Sequence, residues 1–143
     1  MEKQIDENMK KAFYDLIEEN TNSKTPDYDW IIRLYSEIKH KLLYYLKKDS
    51  ETYKSIDESF DVELFSQMIR ADVFSQESML KLIENTFYWI KYLGAPYRDD
   101  GTDKAKERVL NSPFNKIISV FLKETHDCIT CYDEDMIRIL KTK

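Results

Sequence analysis

Glycine and proline are scarce in this sequence, at 2 and 3 residues out of 143. Sandwiches and barrels need a turn every few residues, and turns need those breakers, so the deficit excludes a β-rich fold. Cysteine is nearly absent as well: two residues cannot build a disulfide framework, which fits a reducing compartment. No apolar run approaches the roughly 20 residues needed to span a bilayer. The stretch 1–20 alternates charged and apolar residues and lacks the continuous apolar segment of a secretory signal. Nor is there an excess of cations. Twenty-two Lys and Arg stand against 27 Asp and Glu, for a formal net charge of −5, and the cations are scattered. A nucleic-acid backbone and an anionic membrane surface are therefore excluded as partners, because both are bound mainly by massed positive charge. The expected location is intracellular, in the cytoplasm.

What is present is apolar residues at helical spacing and an abundance of aromatics: ten tyrosines, seven phenylalanines and two tryptophans. The hydrophobic fraction of 42% is that of a folded domain, and 143 residues fit one core. The expected fold is all-α, a single-domain bundle of five to six helices. It divides into an N-terminal helix and linker (1–24), a helical centre (25–99) and C-terminal helices (100–143).

Periodicity and cap signals place the helices. A first helix, about Glu2–Glu19, carries Ile5, Met9, Ala12, Phe13, Leu16 and Ile17 as one inward stripe. Thr25-Pro26 reads as an N-cap followed by Pro at the first helical position, opening a helix to Lys48. Ser55-x-x-Glu58 has the form of a capping box, with Asp57 and Asp61 as alternative caps, for a third helix ending near Asp72. Ser75 caps a fourth, which stops at Gly94, a residue suited to the left-handed position after a helix, with Pro96 beyond. That fourth helix is apolar over most of its C-terminal circumference, which predicts a central, covered element. A short helix at Asp103–Asn111 precedes a last one from Ser112-Pro113 to Leu140, with a break expected at Tyr132–Asp135.

Chemistry-bearing motifs are few. His126-x-Cys128-x-x-Cys131 has metal-ligand residue types, but a closed zinc site needs four ligands and the remaining candidate is the distant His40. A redox pair is expected at a helix N-terminus after a strand, whereas these cysteines fall inside a helix. Structural cysteines are the simpler reading. Asp133-Glu134-Asp135 has no regular spacing of oxygen ligands and no glycine turn, so it reads as solvated, with Asp133 capping a final helical segment. Phosphate-binding glycine loops and nucleophile elbows are lacking. The sequence thus predicts a protein that is not an enzyme and needs no cofactor.

Aromatic rings are enriched at the cores of protein interfaces, and the expected partner-binding residues are Trp89, Tyr92, Tyr97 and Arg98. The expected partner is another protein. A metal or thiol-redox protein using His126, Cys128 and Cys131 is the alternative reading, and a homodimer that pairs the same aromatics across a two-fold axis is a third.

Asp29-Trp30, Arg33-Leu34 with Glu37, Glu63-Leu64 with Gln67-Met68, Phe74 and above all Leu93-Gly94-Ala95-Pro96-Tyr97-Arg98-Asp99 carry a family likeness. This stretch, Asp29 to Asp99, resembles the N-terminal part of the T-complex protein 11 family, where the last segment reads as a small residue, Ala-Pro, any residue, then Arg-Asp. Family domains are longer, so the chain is expected to be a shortened version, and Gly94 stands where relatives often have cysteine. The resemblance implies an intracellular, all-helical, non-enzymatic protein linked to cyclic-AMP-dependent kinase signalling. It supplies no catalytic residues.

Overall fold

Side chains that cap backbone amides decide where this chain turns. In a computed structural model, which describes residues 2–71 and 75–141 with side chains from Glu7 onward, four helices begin at an oxygen that accepts from the amide three residues on. These are α2 (Tyr28–Leu43) from Asp27, α3 (Glu51–Ser59) from Ser50, α4 (Val62–Arg70) from Asp61 and α5 (Gln76–Leu93) from Ser75. With α1 (Glu2–Thr21), α6 (Asp99–Leu110) and α7 (Ile117–Lys141) they make an all-α bundle with no strand among the described residues. A single 3₁₀ turn at Pro96–Arg98 joins α5 to α6. None of the helices is long and apolar enough to cross a membrane among the described residues.

Several expected boundaries move, each for a local reason. Thr25-Pro26 does not open α2: the Asn20 side chain accepts from the amide of Asp27 (2.8 Å) and donates to its carbonyl (3.2 Å), so the helix starts one residue after that clasp. The third helix divides in two. Ser50 caps it earlier than Ser55, and a corner at Phe60–Asp61, where Asp61 takes the amide of Leu64 at 2.9 Å, starts α4 afresh. The corner buries Phe60 completely. Its expected end at Asp72 lies outside the described residues, as does Phe74. Gly94 does stop α5, but in extended rather than left-handed geometry (φ −77°, ψ 166°). A β-carbon there would come within 3.0 Å of the Ile90 carbonyl oxygen, whose bond to the Gly94 amide closes the helix, so the glycine serves close approach. After Ser112-Pro113 a short turn intervenes and α7 begins at Ile117.

The core is one cluster to which every α-helix except α6 and α7's last turns brings long aliphatic or aromatic residues, including Ile17, Ile31, Leu42, Ile56, Phe60, Ile83 and Phe121. The central helix is α7, not the fourth expected helix. It packs against α1, α2, α5 and α6, and it runs unbroken through the expected break because Tyr132 and Asp135 both lie buried on its inner side. The outer face of α5 is open to solvent, with Tyr88 and Tyr92 each 59% exposed. On α1 the inward stripe is rotated from the expected one: Tyr14 and Ile17 are buried while Met9, Ala12 and Leu16 are exposed, and Ile5 lies outside the described side chains. Contact with α7 selects that face, through Ser119 Oγ donating to the Tyr14 carbonyl at 2.8 Å and an ion pair between Lys10 and Asp127.

Candidate functional site

The four residues expected at a partner surface fall into two pairs. On the outer face of α5, Tyr88 and Tyr92 are one helical turn apart and stack with centroids 6.2 Å apart and planes 19° from parallel. Trp89 stands edge-on to both, at 5.0 Å and 5.4 Å, and its indole N–H donates to Ser59 Oγ at 3.1 Å. The result is a fixed aromatic ridge with two exposed rings and one half-buried anchor. It continues along α5 into a groove of about 400 Å³ between α4 and α5, lined by Leu64, Phe65, Met68, Leu82 and Asn85. Leu64 is half exposed at its edge. Tyr88, absent from the expected set, belongs to the ridge by its four-residue spacing from Tyr92.

Tyr97 and Arg98 face α7 instead. Ala95 is extended (φ −71°, ψ 146°) as its following proline requires, and Pro96 opens the 3₁₀ turn that swings both residues over Asp135. Arg98 grips that carboxylate with two bonds of 3.0 Å, from Nε and Nη2. The Tyr97 hydroxyl donates to Asp135 Oδ1 at 2.6 Å and accepts from Arg138 Nη2 at 2.9 Å, while Arg138 also donates to Oδ1 at 2.8 Å. The guanidinium of Arg98 lies 4.8 Å from the Tyr97 ring centre. Its hydrogen bonds, with that of Tyr97, pull the Asp135 carboxyl down to about 2 and hold Arg98 firmly charged. Ala95-Pro96-Tyr97-Arg98 is thus a clamp that fastens the α5–α6 connection to α7.

A second bracket of the same kind sits at the other end of α6. Arg108 Nε and Nη2 donate to the two oxygens of Glu124 at 2.9 Å each, and Glu124 is buried in α7. Between the brackets Gly101, Thr102 and Ala105 face Cys128, Cys131 and Tyr132 across a cleft of about 290 Å³. Small side chains on α6 leave this space. Neither bracket was legible in the sequence as a pair, although Glu124, Cys128, Cys131 and Asp135 recur at the spacing of one helix stripe. Two carboxylates on an inward stripe call for cationic partners, and only the fold says which.

The alternative cluster does not assemble. Cys128 and Cys131 line the cleft beside α6, whereas His126 lines a separate small cavity beside Tyr14, Glu37, Ile38 and Lys41 of α1 and α2. Two helical residues apart means about 200° of rotation, so ring and thiol point to opposite sides of α7. His40 packs instead against Tyr44. Among the described residues no three His, Cys, Asp or Glu side chains are grouped to hold a metal ion. Burial, with Glu124 close by, pushes the Cys128 thiol up to about 11, which keeps it protonated at neutral pH. Both cysteines are free. The Asp133–Asp135 run is not a solvated cap: Asp133 accepts the Tyr45 hydroxyl and Asp135 is the centre of the clamp.

No solved structure matches the chain. The family model described as T-complex protein 11 matches residues 1–139, so the likeness first seen in Asp29–Asp99 extends from α1 through most of α7 and takes in both brackets. The chain belongs to the T-complex protein 11 family.

Proposed function

We propose that this protein is a non-enzymatic helical adaptor that docks another protein on the aromatic ridge of α5, acting in cyclic-AMP-dependent kinase signalling as the family resemblance implies. The observation that carries the reading is the ridge itself. Tyr88 and Tyr92 leave most of their surface in water although they could have been polar at no cost to the core, and Trp89 is held rigid beneath them by Ser59. Rigid, pre-positioned aromatic rings bury large areas at little entropic cost, which is the profile of an interface hot spot. The α4–α5 groove extends the apolar surface. Tyr97 and Arg98 serve this reading indirectly, by fastening the turn after α5 to Asp135 of α7.

Affinity capture with three baits tests it: the wild type, a Tyr88→Ser/Tyr92→Ser variant and an Arg98→Lys variant, each first shown to be folded by circular dichroism. Loss of a wild-type partner from the tyrosine variant alone is the expected result. Equal recovery of every partner by all three baits would remove the ridge from consideration.

A further inference from the structure

The cleft between α6 and α7 is left unused by the adaptor reading. Small residues on α6, Gly101 and Ala105, hold it open, and α5 closes one side with Ile90, Gly94 and Ala95. A β-carbon added at Gly101 meets nothing within 4 Å, so no neighbour fills the space. The polar groups around it are fixed and have donors to spare. Arg98 and Arg108 each give Nε and Nη2 to a buried carboxylate, and Nη1 of each makes no hydrogen bond among the described residues. Thr102, only 6% exposed, lines the cleft with the Cys128 thiol as the sole partner of its hydroxyl among the described residues.

The two ends of the cleft differ in charge. At one end Lys10, Lys123 and Arg108 meet two carboxylates: Lys10 pairs with Asp127, Lys123 lies 3.3 Å from Asp127 and 3.8 Å from Glu124, and Arg108 holds Glu124 at 2.9 Å. Asp127 and Glu124 are the carboxylates that line this end. One positive charge is left over there. At the opposite end Arg98 and Arg138 meet Asp135, and Asp99 in the lining completes the balance. Lys91, on the α5 side, is neutralised by Asp103.

We propose that this cleft binds a small amphiphilic carboxylate, with its head on Arg108 Nη1 and its hydrocarbon body laid along Gly101, Ala105 and Tyr132 toward Ala95. Donors without acceptors call for an acceptor-bearing ligand, and the surplus cation makes that acceptor an anion. Because the surplus is single and confined to one end, the ligand has one charged terminus, and the apolar walls beyond it take the remainder. A volume of about 290 Å³ holds roughly ten heavy atoms, at about 30 Å³ each. The length available is about 15 Å, the helical rise from Arg98 to Arg108. This inference stands independently of the docking ridge, which occupies the outer face of α5.

The test titrates the full isotope-labelled chain with sodium octanoate, a carboxylate of that size, and follows the amide signals of Thr102, Ala105 and Tyr132 by NMR. Saturable shifts with a Kd on the order of 1 mM are expected. Octanol, which lacks the charge, should bind on the order of tenfold more weakly, and octylamine should not bind. Gly101→Leu, whose side chain enters the open space, should weaken octanoate at least about tenfold. Lys123→Gln, which removes the surplus charge and leaves both brackets standing, should weaken it about two- to fivefold. Both variants are first shown to be folded by circular dichroism. No saturation by about 10 mM, octanol or octylamine bound as tightly as octanoate, or undiminished affinity in either folded variant would each overturn the inference.

Discussion

Replacing Asp135 by Asn removes the charge on which the clamp converges while keeping its size. Asp135 accepts four hydrogen bonds, three of them from guanidinium groups. In a dry interior such charge-assisted bonds contribute about 1.5 to 3 kcal/mol each. The side chains of Arg98 and Arg138 are 36% and 67% exposed, however, so water and salt screen much of that, and the summed loss is roughly 2 kcal/mol. The shift of the carboxyl from 3.8 to about 2 corresponds to a similar figure, roughly 2 kcal/mol. For a chain of this length that lowers Tm by about 4 to 8 °C. The pH dependence is diagnostic. A carboxylate whose pKa is depressed in the folded state contributes in full above its unfolded value, and the contribution fades as pH falls through the folded value. The gap between wild type and Asp135→Asn should therefore be constant from neutral pH down to about 5, close to about half by pH 3 and vanish near pH 1. Urea denaturation at each pH measures it. A variant as stable as wild type at pH 7, or a gap that does not narrow at pH 3, would refute the account of the clamp.

Two further outcomes follow from the cleft between the brackets. Gly101 lies within α6 where an added β-carbon meets nothing within 4 Å, so Gly101→Ala should raise stability by about 0.5 to 1 kcal/mol in urea denaturation; a loss would show that the space is smaller than described. With its pKa pushed up from 9.0 to about 11, Cys128 in a Cys131→Ser background should react with a thiol reagent near neutral pH about 100-fold more slowly than free cysteine, and labelling at the free rate would contradict its burial.

Much of the fold could be read from the sequence because helix punctuation is local. Ser75, Gly94 and Pro96 bound α5 where the chain alone places the ends, and the family-like motif marks the turn that follows. The errors arise where one local signal competes with another over a distance. Asn20 reaches Asp27 and overrules Thr25-Pro26, and Asp61 outcompetes continuation of a helix that Ser55 does not begin. The buried stripe of α1 runs through Tyr14, which a pattern of purely apolar residues passes over. Tyr14 supplies both the buried ring and, through its carbonyl, the bond to Ser119, so the helix turns that side inward and leaves Met9 and Leu16 outside. At the candidate site the residues were visible but not their company. Arg98 could be seen to need a carboxylate; that it is Asp135, shared with Tyr97 and Arg138, depends on how α6 lies along α7.

The brackets Arg98–Asp135 and Arg108–Glu124 also fix the alignment of those two helices in a way that a continuous apolar seam does not. Arg98 and Arg108 are ten residues apart and Glu124 and Asp135 eleven, about 15 and 16 Å of axial rise. The helices thus run antiparallel with matched rungs at both ends. Greasy surfaces can slip by a helical turn at modest cost, whereas here a slip of about 5 Å would break both two-pronged ion pairs at once and strand two carboxylates. Sliding is therefore all or none. The interval between the rungs can change its contents, by mutation or by an occupant, while the register of α6 on α7 stays the same.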